Sequence, residues 1–187
     1  MEQNNKIEEA ARQLAGRSKN QQIAKTSDGK KGCLVVIDSK PPVGDNTTLM
    51  LYTVKIHAVD ERKPTAYFSL EESNRQVCNR LIAIITGIDR QKIDDGTLSS
   101  DEWLLLDEKL SQLIDAPLYI DDAPALSLAN LKRRLTNLTK NNDVCLAVVD
   151  HLQELTDDGQ PINVRQIKAY LKAFAEVLGI TIIAVQD

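Results

Sequence analysis

A Pro/Gly-rich turn carries the residues whose types and spacing most directly suggest chemistry. It reads Ser39-Lys40-Pro41-Pro42-Val43-Gly44-Asp45-Asn46 and lies between the apolar run 33–37 and a helix-compatible stretch from about Thr48 to Val59. A strand, a loop and then a helix form the context of a phosphate-binding loop, because the start of the helix offers unpaired N–H groups and the positive end of its dipole to an anion. The turn therefore outlines a nucleotide site.

The two chemical groups of such a loop are replaced in this chain. In the template G-x-x-x-x-G-K-[ST], the lysine reaches the phosphates and the hydroxyl residue holds magnesium. Gly44 matches the second glycine and Ser39 falls at the first, but Asp45 and Asn46 follow. Two unit charges about 4 Å apart at an effective dielectric of about 20 interact by roughly 4 kcal/mol, so Asp45 exchanges an attraction for a repulsion of similar size. An ordinary surface loop is the alternative interpretation.

Apolar strands and capped helices alternate along the rest of the chain. Ser73-x-x-Gln76 and Ser99-x-x-Glu102 are capping boxes, and Ser127 can open a further helix. This alternation predicts an α/β fold, with a mostly parallel sheet covered by helices on both faces. The predicted strands are 33–37, 65–70, 118–120, 144–149 and 180–185.

Acidic residues and a histidine follow three of these strands. Glu71, Asp121, Asp150 and His151 all stand at or just beyond predicted carboxyl ends. The ligand crevice of such a sheet lies at that edge, so we expect these residues to meet there beside the turn. The accumulation of acids favours a cation, or no ligand, over a bare phosphate.

Composition excludes several classes of function. The net charge is −4, the pI is about 5.3 and aromatic residues make up 4% of the chain. This composition predicts neither a basic surface that would bind phosphates nor an aromatic surface on which bases would stack. Cys33, Cys78 and Cys145 have no metal-binding spacing and are predicted to be small buried hydrophobes in a reducing compartment. No structural metal, signal peptide or membrane span is expected, and the predicted location is the cytoplasm.

The N-terminal segment predicts an amphipathic helix from Lys6 to about Ile23, with Ile7, Ala11 and Leu14 on its apolar face. Two arrangements remain open from the sequence. The helix is either an arm that packs on a partner or a helix that docks on its own domain. We therefore divide the chain into an arm and linker at residues 1–32 and a domain at residues 33–187.

Six segments in order resemble the C-terminal RecA-like domain of DnaB-type replicative helicases. The first, Phe68-Ser69-Leu70-Glu71-Glu72-Ser73, is similar to the family's F-S-L-E-M-S, and the resemblance extends from about residue 33 to the end of the chain. The other matching segments are Arg80-Leu81, Asp95-Gly96-Thr97-Leu98 with Asp101-Glu102-Trp103, Ala116-Pro117-Leu118-Tyr119-Ile120-Asp121-Asp122, Val148-Val149-Asp150-His151-Leu152-Gln153, and Leu171-Lys172-Ala173 with Ile182-Ile183-Ala184.

The resemblance implies a RecA-like, P-loop NTPase-like fold, a hexameric ring, Mg-ATP hydrolysis and translocation on single-stranded DNA. By position, Glu71 matches the carboxylate that activates the attacking water. Asp150 matches the Walker B acid that helps to hold magnesium. The nucleotide loop of the family, A-R-P-S-M-G-K-T, corresponds to Ser39, Lys40, Gly44, Asp45 and Asn46 together with the residues between them.

The departures from the family lead us to expect a degenerate, non-hydrolysing member. Asp45 and Asn46 replace the phosphate-binding lysine and the magnesium-binding threonine, and phosphoryl transfer depends on the charge that those groups supply. The loop 154–161 is short and acidic, so DNA binding is expected to be weak or absent. The chain is also expected to stop before the family's arginine finger, as a domain truncated at its C-terminus.

The predicted role is therefore binding of a protein partner in DNA replication or related DNA metabolism. The partner is a true helicase subunit, or a second copy bound through ring-type interfaces. No cofactor is expected, and we expect no enzymatic activity. The alternative is an ATP-dependent helicase subunit with a non-standard loop, in which Mg-ATP binds and Asp150 contacts the metal. A remnant that folds without a separate role is a third possibility.

Overall fold

A parallel five-stranded sheet organises the protein. The structure, a computed structural model, describes residues 2–20, 32–38, 45–157 and 159–186. The strands within these ranges are β1 (Cys33–Ile37), β2 (Thr65–Ser69), β3 (Leu118–Asp121), β4 (Leu146–Asp150), β5 (Thr156–Asp157), β6 (Gln160–Pro161) and β7 (Thr181–Val185). The main sheet has the order β1-β7-β4-β2-β3, and β5 and β6 form a small antiparallel hairpin.

The strands confirm the predicted parallel α/β architecture. All neighbours in the main sheet pair in parallel, and β4 lies at its centre between β7 and β2. The five predicted strands form with small shifts of their ends. The largest is in β4, which begins at Leu146 rather than Val144 and runs on to Asp150. Its residues are all buried, as expected for a central strand covered on both faces.

The helices begin at the predicted caps. The Ser73 and Ser99 capping boxes both form, and the side chain of Ser127 accepts a hydrogen bond from Asn130 N. A π-helical turn (Lys55–Asp60) continues the helix that begins at Asn46, and a 3₁₀ turn (Leu152–Glu154) follows β4. The α-helices within the described residues are α1 (Glu2–Asn20), α2 (Asn46–Val54), α3 (Asn74–Thr86), α4 (Arg90–Asp95), α5 (Ser100–Ile114), α6 (Leu128–Asn142) and α7 (Val164–Leu178).

Two hydrophobic clusters cover the two faces of the sheet. Tyr67 and Val148 point into the first cluster, with α1, α2 and α3 packed over them. The neighbouring residues Phe68 and Val149 point into the second cluster, beneath α6 and α7. Because successive side chains of a strand alternate between faces, each central strand contributes to both clusters.

The N-terminal helix docks on its own domain. Ala11 is fully buried and Leu14 nearly so, and both belong to the cluster that contains Met50 and Leu51 of α2. This contact explains why α2 is buried around most of its circumference, since α1 covers the side that the sheet does not reach. The predicted end of this helix, at residues 21–23, lies outside the described residues.

The cysteine prediction is correct for one residue and wrong for another. Cys33 is buried, Cys78 is half-buried on α3, and Cys145 is exposed. Cys145 stands just before β4, where the strand is not yet covered, and its Sγ atom lies 3.7 Å from the carbonyl oxygen of Pro64. In the described part of the chain, no helix is long and apolar enough to cross a membrane.

Candidate functional site

The carboxyl ends of β2 and β4 bring three of the predicted site residues together. Ser69 and Asp150, the last residues of these neighbouring strands, are paired in register. Glu71 follows β2 by two residues, and His151 follows β4 directly. The side chain of His151 lies between the two acids, with Nδ1 3.3 Å from Asp150 Oδ1 and Nε2 3.4 Å from Glu71 Oε2.

Asp150 is the most buried acid of this edge, with 2% of its surface exposed. Its Oδ2 atom accepts a hydrogen bond from the hydroxyl of Tyr67 at 2.5 Å. Burial raises the pKa of Asp150, against the opposing effects of the hydrogen bonds from Tyr67 and Thr47 and the charges of His151 and Arg80. Burial and the neighbouring carboxylate also raise the pKa of Tyr67, so this phenol stays protonated and donates.

The backbone of His151 adopts a conformation that residues other than glycine rarely take. Its φ is 70° and its ψ is 76°, in the left-handed region that favours glycine. This turn carries the chain from the buried end of β4 into the 3₁₀ turn and keeps the imidazole against Asp150 and Glu71. A strained backbone at the end of a central strand is a common feature of functional sites.

Asp45 forms the N-terminal cap of α2. Its Oδ1 atom accepts a hydrogen bond from the backbone N–H of Thr48 at 2.6 Å. Such a carboxylate satisfies one of the open N–H groups of the first turn and complements the positive end of the helix dipole. The position that a phosphate-binding loop would leave to its anion is therefore contacted by a carboxylate of the chain itself.

Arg80 of α3 ties this cap to the end of β2. Its guanidinium contacts Asp45 Oδ1 at 2.6 Å, Thr48 Oγ1 at 2.6 Å and Glu72 Oε1 at 2.9 Å. The Arg80 side chain is only 10% exposed, whereas that of Asp45 is 62% exposed. Burial disfavours the charge of Arg80, but Glu72 and Asp45 outweigh it and raise its pKa.

The start of α2 and the end of β4 form one connected site. Thr47, in the first turn of α2, hydrogen-bonds Asp150, which contacts His151 and Tyr67. Four carboxyl groups and one guanidinium lie along this edge, and the guanidinium is already paired with two of the acids. The Glu71 carboxylate and the His151 imidazole lie in contact at this edge, and the charge of the edge favours cations over anions.

The structure separates Asp121 from this group. Asp121 ends the edge strand β3 and forms an ion pair with Arg134 of α6, and it also accepts a hydrogen bond from Ala123 N at 3.1 Å. Asp121 is in register with Phe68, which points into the second cluster, whereas Asp150 is in register with Ser69 and contacts Tyr67 of the first cluster. The expected convergence of Asp121 with Asp150 is therefore wrong, because the two side chains lie on opposite faces of the sheet. Ser39, Lys40 and Gly44 lie outside the described residues, so the shape of the predicted nucleotide loop stays a prediction.

Two residues that hold the site together have no clear signal in the sequence. The sequence identifies Arg80 only as part of a segment that matches the helicase family, and Tyr67 only as a residue of the predicted strand 65–70. The apolar positions of α3 place Arg80 toward α2, since Val77 and Leu81 on either side of it are buried. The pairing of Tyr67 with Asp150 follows only from the register of β2 against β4.

The pH dependence of stability provides a test of the Asp45 contacts. Burial opposes ionisation, yet the hydrogen bonds from Thr48 and the charge of Arg80 lower the pKa of Asp45 below its usual 3.8. A lowered pKa in the folded state stabilises the fold above the unfolded-state pKa, and this contribution is lost as the pH falls through the folded-state value. We expect the stability difference between the native chain and Asp45→Asn to be largest at neutral pH and to shrink below pH 3.8.

Urea unfolding at a series of pH values measures this difference. Glu9→Gln is a suitable control, because Glu9 is an exposed residue of α1 that forms no ion pair with any described residue. If the free energy of unfolding differs between the native chain and Asp45→Asn by the same amount at neutral and acidic pH, these contacts do not depend on ionisation of Asp45.

The loop after β4 is short and acidic, as predicted. It contains the 3₁₀ turn and the hairpin of β5 and β6, with Glu154 and Asp157 exposed. Thr156 of this hairpin hydrogen-bonds the backbone before α6, from its N to Leu126 O at 3.1 Å. The loop therefore folds back on the domain and presents acids at the same end of the sheet.

The chain is similar to replicative helicases over most of its length. The model of the DnaB-like helicase C-terminal domain matches residues 17–187. The replicative DNA helicase DnaB of Treponema pallidum is 32% identical over 159 residues, or 82% of this chain and 36% of the relative. That of Geobacillus stearothermophilus is 28% identical over 167 residues, 87% of this chain and 37% of the relative. The chain thus spans 24% to 37% of the length of these and other curated relatives.

Solved structures agree with this relationship. One solved ATPase domain has a TM-score of 0.74 at 24% identity, covering 84% of this chain and 57% of that one, which supports the fold. A DnaB-like replicative helicase, described with its interactions with primase, has a TM-score of 0.72 at 25% identity, covering 84% of this chain and 39% of that one. The fold is therefore that of the RecA-like ATPase domain. With a family match that covers residues 17–187, the chain belongs to the DnaB-like helicase C-terminal domain family.

Proposed function

We propose that this DnaB-like domain neither hydrolyses ATP nor unwinds DNA and that it acts through protein partners in DNA replication or related DNA metabolism. The observation that carries the proposal is the contact of Asp45 with the first turn of α2, reinforced by Arg80. Three features of the described residues support it: the occupied helix start, the local charge and the ligands left for magnesium.

The start of α2 offers a nucleotide little of what a phosphate needs. A triphosphate binds such a helix through free N–H groups, and Thr48 N already donates to Asp45 Oδ1. The Asp45 carboxylate also places a negative charge where the lysine of an active loop would place a positive one. The residues present at positions 45 to 48 therefore do not fit a bound Mg-ATP.

The charge around the start of α2 also disfavours nucleotide binding. Arg80 is the guanidinium nearest to the start of α2 among the described residues, and its charge is shared by Glu72 and Asp45. Drawing it to a phosphate would leave both acids unpaired, and the second oxygen of Glu72 already accepts no hydrogen bond from a described residue. Removing one partner from a buried ion pair is strongly unfavourable.

The candidate metal ligands are also altered. Asn46 stands where the family has a threonine, and Asp150 is held by Tyr67 at 2.5 Å. Burial raises the pKa of Asp150 and so opposes the charge of its carboxylate, and a magnesium ion would have to compete with the hydrogen bond from Tyr67. Asp150 and Glu71 remain the residues that would contact the metal and the attacking water if Mg-ATP did bind.

We also propose that the domain binds DNA weakly or not at all. Glu154 and Asp157 are exposed in the loop after β4, at the edge that already holds Glu71. Because phosphate contacts supply most of the affinity for nucleic acid, an acidic loop repels a DNA strand. Protein association remains as the means of action, either with a helicase subunit or with a second copy of the chain.

A titration with Mg-ATP tests the proposal. We expect no calorimetric signal of binding up to about 1 mM ligand, which corresponds to a binding free energy weaker than about −4 kcal/mol. The solved ATPase domain with the TM-score of 0.74, measured in parallel, serves as the positive control. A micromolar dissociation constant for this chain would overturn the non-hydrolysing assignment.

A second candidate is an ATP-hydrolysing helicase subunit with a non-standard loop. The observation that favours it is the retention of both acids, with Glu71 48% exposed at the mouth of the edge and free to reach a water. An ATPase assay with and without single-stranded DNA separates the two candidates. Activity that Glu71→Gln abolishes would establish the second, whereas no turnover in either condition would exclude it for the isolated chain.

A further inference from the structure

A groove between α6 and α7 lies apart from the nucleotide edge. Its volume is about 400 Å³, and its lining is mostly apolar. Ala173, Phe174, Val177 and Leu178 of α7 form one side, and Lys132 and Lys140 of α6 stand on the other. The groove is long enough for about two turns of a helix, since the two lysines are eight residues apart.

The apolar side of the groove is open to solvent. Val177 is 75% exposed, and Tyr170, one turn before Phe174, is 51% exposed. The ring of Phe174 is buried, with its centroid 6.2 Å from that of Tyr170, and Lys132 Nζ lies 5.4 Å from the Phe174 centroid at the border of the groove. A cluster of exposed apolar residues with charged residues at its border is typical of a surface that binds another protein.

The charge of this surface is opposite to that of the whole chain. Helix α6 carries four basic residues and no acid, and α7 carries three basic residues and one acid, so the pair has a net charge of +6 in a chain of net charge −4. Among the described residues neither Lys132 nor Lys140 forms an ion pair. A partner segment with acids beside apolar side chains would therefore neutralise the groove as it fills it.

Helix α5 of the same chain has this composition. None of its residues is buried, and Leu104 is 71% exposed and Ile114 71% exposed. Asp107 and Glu108 lie beside Leu104 on the outward side, while the opposite side, with Leu106, packs on α3. Exposed apolar residues flanked by acids are the complement of the groove between α6 and α7.

The two surfaces cannot meet within one molecule. Leu113 of α5 packs against the hydrophobic cluster beneath α1, α2 and α3, whereas Leu131, Leu135 and Leu171 of α6 and α7 belong to the cluster on the opposite face of the sheet. Two different patches on opposite faces produce a head-to-tail contact between copies, in which each molecule can extend the assembly.

We infer that α5 of one copy binds the groove between α6 and α7 of a second copy. This inference specifies the partner in the protein-association part of the proposed function and does not depend on nucleotide. The groove favours a protein helix over nucleic acid because most of its lining is aliphatic or aromatic and offers few donors to phosphate.

Analytical ultracentrifugation over a range of protein concentrations tests the inference with two charge-reversed variants. Lys132→Glu/Lys140→Glu makes the groove acidic, and Asp107→Lys/Glu108→Lys makes α5 basic. We expect the native chain to associate more weakly as salt is raised, and each variant alone to associate at least about 100-fold more weakly than the native chain. Mixing the two variants restores opposite charges across the contact and should restore association.

A matched control reverses two exposed basic residues on helices other than α6 and α7. Lys6→Glu/Arg75→Glu changes the net charge by the same amount as Lys132→Glu/Lys140→Glu and should leave association unchanged. Val177→Asp, an exposed substitution in the groove, should weaken association without unfolding the chain. Circular dichroism of every variant checks that it is folded.

Three results would overturn the inference. These are a native chain that stays monomeric at all concentrations, association that neither variant weakens, and variants that fail to complement each other. Binding of single-stranded DNA that Lys132→Glu/Lys140→Glu abolishes, without any self-association, would instead identify the face as a nucleic-acid surface. None of these outcomes alters the Mg-ATP titration, so failure here and failure of the non-hydrolysing assignment are distinguishable.

Discussion

Replacing Asp45 with lysine and Asn46 with threonine is expected to give the chain an affinity for Mg-ATP that the native chain lacks. The double variant restores the two groups of the family's loop, G-K-T, after Gly44. It removes the carboxylate that accepts from Thr48 N and replaces its repulsion of the phosphates by an attraction. One such interaction between two charges is worth roughly 4 kcal/mol of binding free energy, so we expect the affinity for Mg-ATP to rise by at least about 100-fold.

Two single variants show which group is responsible. Asp45→Asn removes the negative charge but keeps a side chain that caps helices well, and we expect it to bind only slightly better than the native chain. Asn46→Thr alone leaves the Asp45 carboxylate in place and should not bind. Lysine at the cap position loses the hydrogen bond to Thr48 N and costs about 1 kcal/mol of stability, so unfolding curves must accompany the titrations.

Isothermal titration calorimetry with Mg-ATP, at the same protein concentration for all four chains, provides the comparison. A folded double variant that still does not bind Mg-ATP would show that residues other than Asp45 and Asn46 close the site. A native chain that binds as tightly as the double variant would show that the Asp45 carboxylate does not exclude nucleotide.

Replacing Arg80 with methionine is expected to destabilise the fold by about 2 to 4 kcal/mol, because it leaves buried charge without its partner. Methionine keeps the apolar stem of the arginine but removes every donor to Glu72, Asp45 and Thr48. The main cost comes from Glu72, whose side chain is 23% exposed and whose Oε2 atom accepts no hydrogen bond from a described residue. The Asp45 contact contributes less, since that side chain is 62% exposed.

Urea denaturation of Arg80→Met, Glu72→Gln and the double variant measures this coupling. Residues that share an ion pair usually show interaction energies of about 0.5 to 3 kcal/mol, and we expect the upper part of that range. Arg75→Met is the matched control, because Arg75 lies on the same helix with an exposed side chain and should change stability by less than about 0.5 kcal/mol. Equal losses for Arg80→Met and Arg75→Met would show that the network does not stabilise the fold.

Local sequence patterns predicted most of the fold. The Ser73 and Ser99 boxes begin the helices that they predicted, because a cap involves only residues three positions apart. The strands followed from short apolar runs, and their parallel arrangement from the helices between them. Boundaries were less accurate where a strand emerges from the sheet, as at Cys145, whose exposure depends on which neighbours cover it.

The candidate site was predicted only in part. Glu71, Asp150 and His151 meet as expected, because each follows a strand and all parallel strands end at one edge. Asp121 does not join Asp150, since its side chain lies on the opposite face of the sheet, where it pairs with Arg134 of α6. No pattern in the sequence indicates which of the strand-end acids a basic side chain will hold.

Residue types in consecutive segments were enough to predict the family and the parallel sheet, and they place an aspartate and an asparagine at positions 45 and 46. What Asp45 does instead became clear only from the packing of the helices. Arg80 lies 35 residues from Asp45 along the chain, and their contact exists because α2 and α3 pack side by side. Packing likewise settles that α1 docks in cis and that α5 and the groove between α6 and α7 lie on opposite faces. The physical reason is that charges and apolar surfaces interact through space, and the distances between them are set by packing rather than by separation in sequence.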